Sequence, residues 1–357
     1  MKAVIESREI SKENGVYIVF EAGATHFGLE SAKKLTNVAK EAGADAIKFQ
    51  LINADRLMAD KTIMFEYNYL EIDEHGHEKF IPMKESLYEI LKRRELQVEE
   101  WRELKQYCDE IGITMFCTAC YEDEVDFLVD ELGINSIKIC SADINQLDFI
   151  KYCASKNINI QLDTGNADLW EIERAVIETE SAGCNNIVIH LCPSGYPSRL
   201  KSINLRMITT LKAMFPNYSI AFSDHFPGWD MDIAAVALGA DMIEKTITLD
   251  RTIKSCEHSF SLEPEQAKQL VKVIRDLEIA LGSFRRVIPL NIREKRKIAR
   301  RSPYALKDLN VGDIINKKDF EFKRPGFGLT NEEFRLILGK KLVKDLKKGD
   351  RLTYEYI

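Results

Sequence analysis

The sequence has no run of about 18 apolar residues, so nothing in it reads as a bilayer-spanning helix. Its opening, MKAVIESREI, holds no long apolar core and does not read as a secretion signal. It has no excess of positive charge. Fifty Lys and Arg against 57 Asp and Glu leave a net charge of -7, which gives no overall pull toward nucleic acid or an anionic membrane. No G-x-G-x-x-G follows the first strand-like run, which counts against a dinucleotide-binding open sheet. A disulfide framework is missing too. Eight cysteines are scattered at 108, 117, 120, 140, 153, 184, 192 and 256, and a chain of 357 residues needs no such staples. They read as reduced thiols in a cytoplasmic protein. Cys117 and Cys120 form C-T-A-C, but no second pair completes a zinc site, and the motif ends a strand. The pair therefore reads as small buried apolar residues.

What is present is a soluble globular composition, 45% hydrophobic and 30% charged. Short apolar runs fall at 16–23, 45–50, 113–119, 136–140, 158–165, 186–191, 218–225 and 241–247. Each is rich in Ile, Val and Phe on both faces, the pattern of a parallel strand buried on both sides. Helical patterns lie between them. Residues 31–42 line up Leu35, Val38, Ala39 and Ala42 and stop at Gly43. Residues 264–281 line up Ala267, Leu270, Val271, Ile274, Leu277 and Leu281, with Pro264 suited to the first turn and Gly282 to the cap. Eight strands alternating with helices predict an α/β fold, a (β/α)8 TIM barrel over residues 1–284. A doubly wound open sheet is the runner-up.

The aromatic and charged stretch at 53–90 interrupts the alternation, as a long insertion on the catalytic face would. Residues 285–300 read as a basic linker. The run 285–301 carries eight basic residues against Glu294 but no aromatic platform, so a solvated segment or a face for an acidic partner subunit fits it better than nucleic acid. Residues 301–357 have short strand signals and turns, a small β-rich module.

Active sites of (β/α)8 barrels lie at the C-terminal strand ends. Polar residues cluster there: Glu21 and His26; Lys48 and Gln50; Thr118; Lys138, Ser141 and Asp143; Asp163 and Thr164; Ser194 and Tyr196; Ser223, Asp224 and His225; Glu244, Lys245 and Thr246. A lysine inside an apolar strand is costly unless paired. Two of them, Lys48 and Lys138, facing one mouth suggest an anionic ligand such as a phosphate with a carboxylate, cradled by the neighbouring hydroxyls. The competing reading pairs them with Glu21, Asp143 and Glu244 merely to close the barrel. A lysine-imine aldolase also stays open.

The segments E-A-G-A-T-H-F-G (21–28), A-G-A-D-A-I-K-F-Q (42–50), K-I-C-S-A-D (138–143), C-P-S-G-Y-P (192–197), S-D-H-F-P-G (223–228), A-A-V-A-L-G-A (234–240) and S-L-E-P (261–264) closely resemble the sialic acid synthase family. R-R-S (300–302), K-R-P-G-F-G (323–328) and L-G-K-K (338–341) resemble its C-terminal SAF, or antifreeze-like, domain. The resemblance runs collinearly over nearly the whole chain. It implies condensation of phosphoenolpyruvate with an N-acylated aldose, N-acetylmannosamine or a 2,4-diacetamido-6-deoxy hexose, to a nonulosonic acid plus phosphate. It implies a divalent metal, Mn2+ or Mg2+, on His225. Lys48, Thr118, Lys138, Ser141, Ser194 and Ser223 would hold phosphoenolpyruvate. Glu21, Gln50, Asp143 and Tyr196 would face the sugar or move protons. Arg324 would reach into a neighbouring barrel, making a homodimer with swapped C-terminal domains.

Departures from the family pattern fall at the site itself. The second metal-binding histidine is Thr246, a poor ligand for manganese. A sugar-binding aspartate is Glu257. A phosphate-side serine is Asp163, whose charge either repels phosphate or serves a metal. These departures leave open a different aldose, an aldolase, or a non-catalytic sugar-binding role. His190 falls one position off the family's strand pattern and reads as barrel wall.

Overall fold

The structure is a computed structural model and describes residues 2–357. The chain forms two compact units, one ending at Gly282 and one spanning Ser283–Ile357. The first is the predicted barrel. Its eight strands are β1 (Tyr17–Glu21), β2 (Ala46–Gln50), β3 (Thr114–Thr118), β4 (Ser136–Ile139), β5 (Asn159–Asp163), β6 (Ile187–Leu191), β7 (Ser219–Asp224) and β8 (Met242–Thr246). They are parallel and pair in sequence order, and β8 closes on β1 through Thr246 opposite Glu21. Every strand except the ends of β2 and β3 is fully buried, which is why the runs are apolar on both faces.

The helices follow from the apolar stripes. Leu29–Ala42 buries Ala32, Leu35 and Ala39, and ends on Gly43, whose φ of 85° supplies the left-handed cap. Pro264–Leu281 begins on its proline and buries Ala267, Leu270, Val271 and Ile274. A short hairpin, Val4–Ile5 with Arg8–Glu9, closes the opposite end of the barrel, where the Ala3 amide donates to Ser219 Oγ at 3.1 Å. The mouth is thus the open end.

The insertion after β2 is a nine-rung antiparallel hairpin, Met64–Ile72 against Glu78–Ser86, followed by the helix Leu87–Lys92. Tyr67, Tyr69 and Ile90 bury against Cys256, which docks the insertion on the segment following β8.

In the second unit the basic stretch contains the helix Leu290–Ala299, with no buried residue. Beyond it, Ser302–Ala305 pairs with Phe320–Lys323 over a small core of Leu309, Phe320, Phe334 and Leu346. A seven-residue helix, Asn331–Ile337, completes the module.

Candidate active site

The strand ends converge on a cavity of about 170 Å³. Glu21, Lys48, Gln50, Thr118, Lys138, Asp163, Tyr196, His225, Glu244 and Glu257 line it, so most of the expected residues meet in one place.

Its floor is an ion cluster. Lys48 Nζ pairs with Glu21 and lies 3.3 Å from Glu244 Oε1. Lys138 Nζ reaches the same Glu244 oxygen at 2.8 Å, Asp163 Oδ2 at 3.2 Å and Ser223 Oγ at 3.2 Å. The Ser223 hydroxyl also contacts Glu244 Oε1, at 3.0 Å. All five charged groups are at most 8% exposed. Burial pulls both ammonium groups down, but the carboxylates outweigh it and hold both lysines above their ordinary value. Burial pushes Asp163 up, and Lys138 and then His190 reverse that to a net lowering. Glu244 is likewise held low by the two lysines against its burial. Two cations therefore share three carboxylates. Glu244 Oε2 is buried without a hydrogen-bond partner. Gly23 lies so close that a Cβ there would stand 2.5 Å from the Gln50 amide and 2.7 Å from the Glu21 carboxylate. Glycine is what lets the loop after β1 fold over the site.

The aromatic and acidic rim is built by the later loops. Tyr196 is 45% exposed and tilts over His225 with ring centroids 4.6 Å apart. His225 Nδ1 is buried without a partner. Burial chiefly lowers this imidazole to about 4, so it is neutral at pH 7. Glu257 is raised by burial against the pull of Arg94, whose Nη1 is 3.6 Å away.

Several sequence expectations are redirected. Asp143 does not pair with either lysine; it accepts a hydrogen bond from the Cys140 thiol at 3.0 Å. Ser194 is exposed and donates to the Gly165 carbonyl, tying two loops together outside the cavity lining. Ser141 is half-buried beside Gly165 and also stands outside the lining. Lys245 turns away from the mouth and is sealed against Asp224 and Asp232. Arg324 is exposed on the second unit. His190 is fully buried, 2.8 Å from Gln161 Oε1, as the wall reading expects. Cys117 is buried as expected, whereas Cys120 is half-buried and lines the cavity with Cys140.

Arg94 escaped the sequence reading. It is one of two adjacent arginines after the insertion helix, and nothing local separates it from half-buried Arg93. Only the docking of the insertion buries it, to 4% exposure, against Glu257 and Cys256 Sγ.

The donor set does not assemble a metal site around His225. Among the described residues, His225 belongs to no group of three His, Cys, Asp or Glu donors with ligand atoms within 4.8 Å of one another. Thr246 fills the position where the family resemblance implies a second histidine.

Comparison with known proteins adds a family. Residues 35–286 match the NeuB family model and residues 300–356 the SAF domain model. The chain is 35% identical over 347 residues to N,N'-diacetyllegionaminic acid synthase of Legionella pneumophila, covering 96% of this chain and 94% of that one. It is 32% identical to pseudaminic acid synthase of Campylobacter jejuni, covering 94% and 95%. Among solved structures, the spore coat polysaccharide biosynthesis protein SpsE of Bacillus subtilis superposes with a TM-score of 0.65 at 30% identity, covering 99% of this chain and 98% of that one.

Proposed function

The chain belongs to the NeuB family, and from that membership we propose that it condenses phosphoenolpyruvate with an N-acylated aldose to a 3-deoxy-2-keto nonulosonic acid and phosphate. The observation that carries the reading is the meeting of Lys48 and Lys138 on one oxygen of Glu244, at the floor of a cavity at the barrel mouth. Two buried ammonium groups side by side repel each other, and an anion with a phosphate and a carboxylate complements both.

In the proposed reaction, C3 of the enol forms a bond to the aldehyde carbon, and the aldehyde oxygen takes a proton. Water adds to C2 and gives up a proton. The C2–O bond to phosphate then breaks, the C2 hydroxyl gives its proton to the departing phosphate, and a ketone is left. Lys48 and Lys138, with Thr118 and Ser223, hold the phosphoenolpyruvate. Glu21, Gln50 and Tyr196 face the aldose. Glu257 retains its proton to higher pH than an ordinary carboxyl, which suits it to protonate the new hydroxyl. Ser141 and Ser194, which stand outside the cavity lining, take no part in this reading. The reading puts the protein in the cytoplasm, where phosphoenolpyruvate is made.

The test is phosphate release from phosphoenolpyruvate against N-acetylmannosamine, 2,4-diacetamido-6-deoxy sugars, mannose and mannose 6-phosphate. Release with one sugar names the substrate. Silence with all, together with no binding of phosphoenolpyruvate, would overturn the reading. We also propose that Arg324 completes the sugar site of a second subunit. Arg324→Ala should then raise KM for the aldose about tenfold or more while the barrel stays folded, and unchanged kinetics would sink the swapped dimer.

A further inference from the structure

The geometry points to a metal site outside the His225 position: Cys120, Cys140 and Asp143 form a three-ligand site for a zinc-class cation at the rim of the mouth. Among the described residues this is the one group of His, Cys, Asp and Glu whose ligand atoms all lie within 4.8 Å of one another. The inference does not depend on which reaction the mouth performs.

The barrel itself sets the ligands. β3 and β4 are neighbours with Thr118 opposite Lys138. Two residues further along each chain come Cys120 and Cys140, so the parallel register brings the two thiols side by side. The chain then turns, with the Asp143 amide donating to the Cys140 carbonyl at 3.0 Å, and this turn folds the Asp143 carboxylate back to 3.0 Å from Cys140 Sγ. The Cys120 amide is pinned in turn by Glu124 Oε2 at 2.9 Å. Tetrahedral zinc, with Zn–S of about 2.3 Å and Zn–O of about 2.0 Å, holds its ligand atoms roughly 3.5–3.8 Å apart. Small side-chain rotations therefore suffice to close the group.

Ligand type selects the ion. Two thiolates and one carboxylate favour zinc, or cobalt in its place, over manganese or magnesium. Three protein ligands leave the fourth tetrahedral position open, as in catalytic zinc sites. Cys120 and Cys140 both line the cavity, so the site borders the mouth.

The experiment uses the full chain, purified under reducing conditions, supplied with zinc and desalted. About one zinc per chain is expected by elemental analysis. Replacement by Co2+ should give thiolate-to-cobalt charge-transfer absorption with the visible bands of a tetrahedral ion. Cys120→Ser, Cys140→Ser and Asp143→Asn should each lower zinc content or affinity tenfold or more, and His225→Ala should leave it unchanged. Three outcomes would overturn the site: a zinc-free reduced protein with both thiols free to a thiol reagent, a Cys120–Cys140 disulfide in place of bound zinc, or zinc that survives Cys140→Ser and is lost in His225→Ala. The wild-type measurements decide even where a variant fails to fold.

Discussion

Two buried ion clusters stand on neighbouring strands of the same barrel, and they differ in what surrounds them. At the mouth, Glu244 of β8 joins Lys48, Lys138, Glu21 and Asp163 around the cavity. One residue later, Lys245 points the other way. It is fully buried and pairs with Asp224 of β7 and with Asp232, at 3.4 Å, on the helix Asp230–Ala237. Strand alternation alone sends adjacent charges to opposite faces. The sealed cluster is shut off from solvent, with Lys245, Asp224 and Asp232 at most 1% exposed, and burial pushes the Asp232 carboxyl well up. At the mouth the lysines hold Asp163 and Glu244 low against their burial, beside open space. Buried charge alone does not mark a site; buried charge facing a cavity does.

The largest expected effect separates the two clusters by function. Lys138→Ala should reduce phosphate release about a thousandfold, the scale of removing one preorganised electrostatic partner. A rate within tenfold of the wild type would make the mouth cluster as structural as the sealed one. Lys245→Met should do the reverse. It leaves Asp224 buried without its cation, so about 3–5 kcal/mol of stability is lost in chemical denaturation, while kcat of the folded protein stays within a few-fold. A large loss of kcat at unchanged stability would contradict that division.

The same alternation explains how much of the molecule was legible in the sequence. All eight strands were readable because a strand buried on both faces must be apolar throughout, and that pattern is local. Lys48, Lys138 and Asp163 were readable because polar residues stand out at the ends of such strands. Lys245 was misleading because Glu-Lys at one strand end does not say which residue faces inward. Cys120 looked like the partner of Cys117 by spacing, and Asp143 like a partner of a lysine. Strand register pairs Cys120 with Cys140 instead, and a turn brings Asp143 to them. Arg94 was hidden because its burial depends on an insertion docking far along the chain. Long-range placement is the part a local pattern does not carry.

A smaller effect sharpens the charge count at the mouth. Lys138 already has two carboxylate partners, Asp163 and Glu244, and an incoming phosphate competes with both. Asp163→Asn removes one competitor while keeping the shape. KM for phosphoenolpyruvate should fall about fivefold, ~1 kcal/mol, the scale of one screened charge. A rise in KM would show that Asp163 supports the substrate, and the repulsion argument would fail.

A last effect is on stability and depends on pH. His26, His190 and His258 are fully buried and are lowered to about 4, 3 and 3 by burial first and by nearby cations second, Arg94 beside His26 and His258 and Lys138 beside His190. Unfolded, each titrates near 6.5. As pH falls below 6.5 the unfolded chain takes up protons that the folded chain refuses, so the balance shifts toward unfolding. Their contribution is full above 6.5 and is lost progressively toward pH 4. Each histidine contributes a slope of about 1.4 kcal/mol per pH unit within that window. Asp163 and Glu244, held low, lose their contribution only as pH falls through the ordinary carboxylate range, near 4 and below. A decline in Tm between pH 6.5 and 5 therefore belongs to the histidines. His225 is lowered to about 4 as well, so four histidines share the slope. His190→Gln, which keeps an amide for Gln161, should reduce it by about a quarter; an unaltered slope would mean that His190 protonates in the folded barrel.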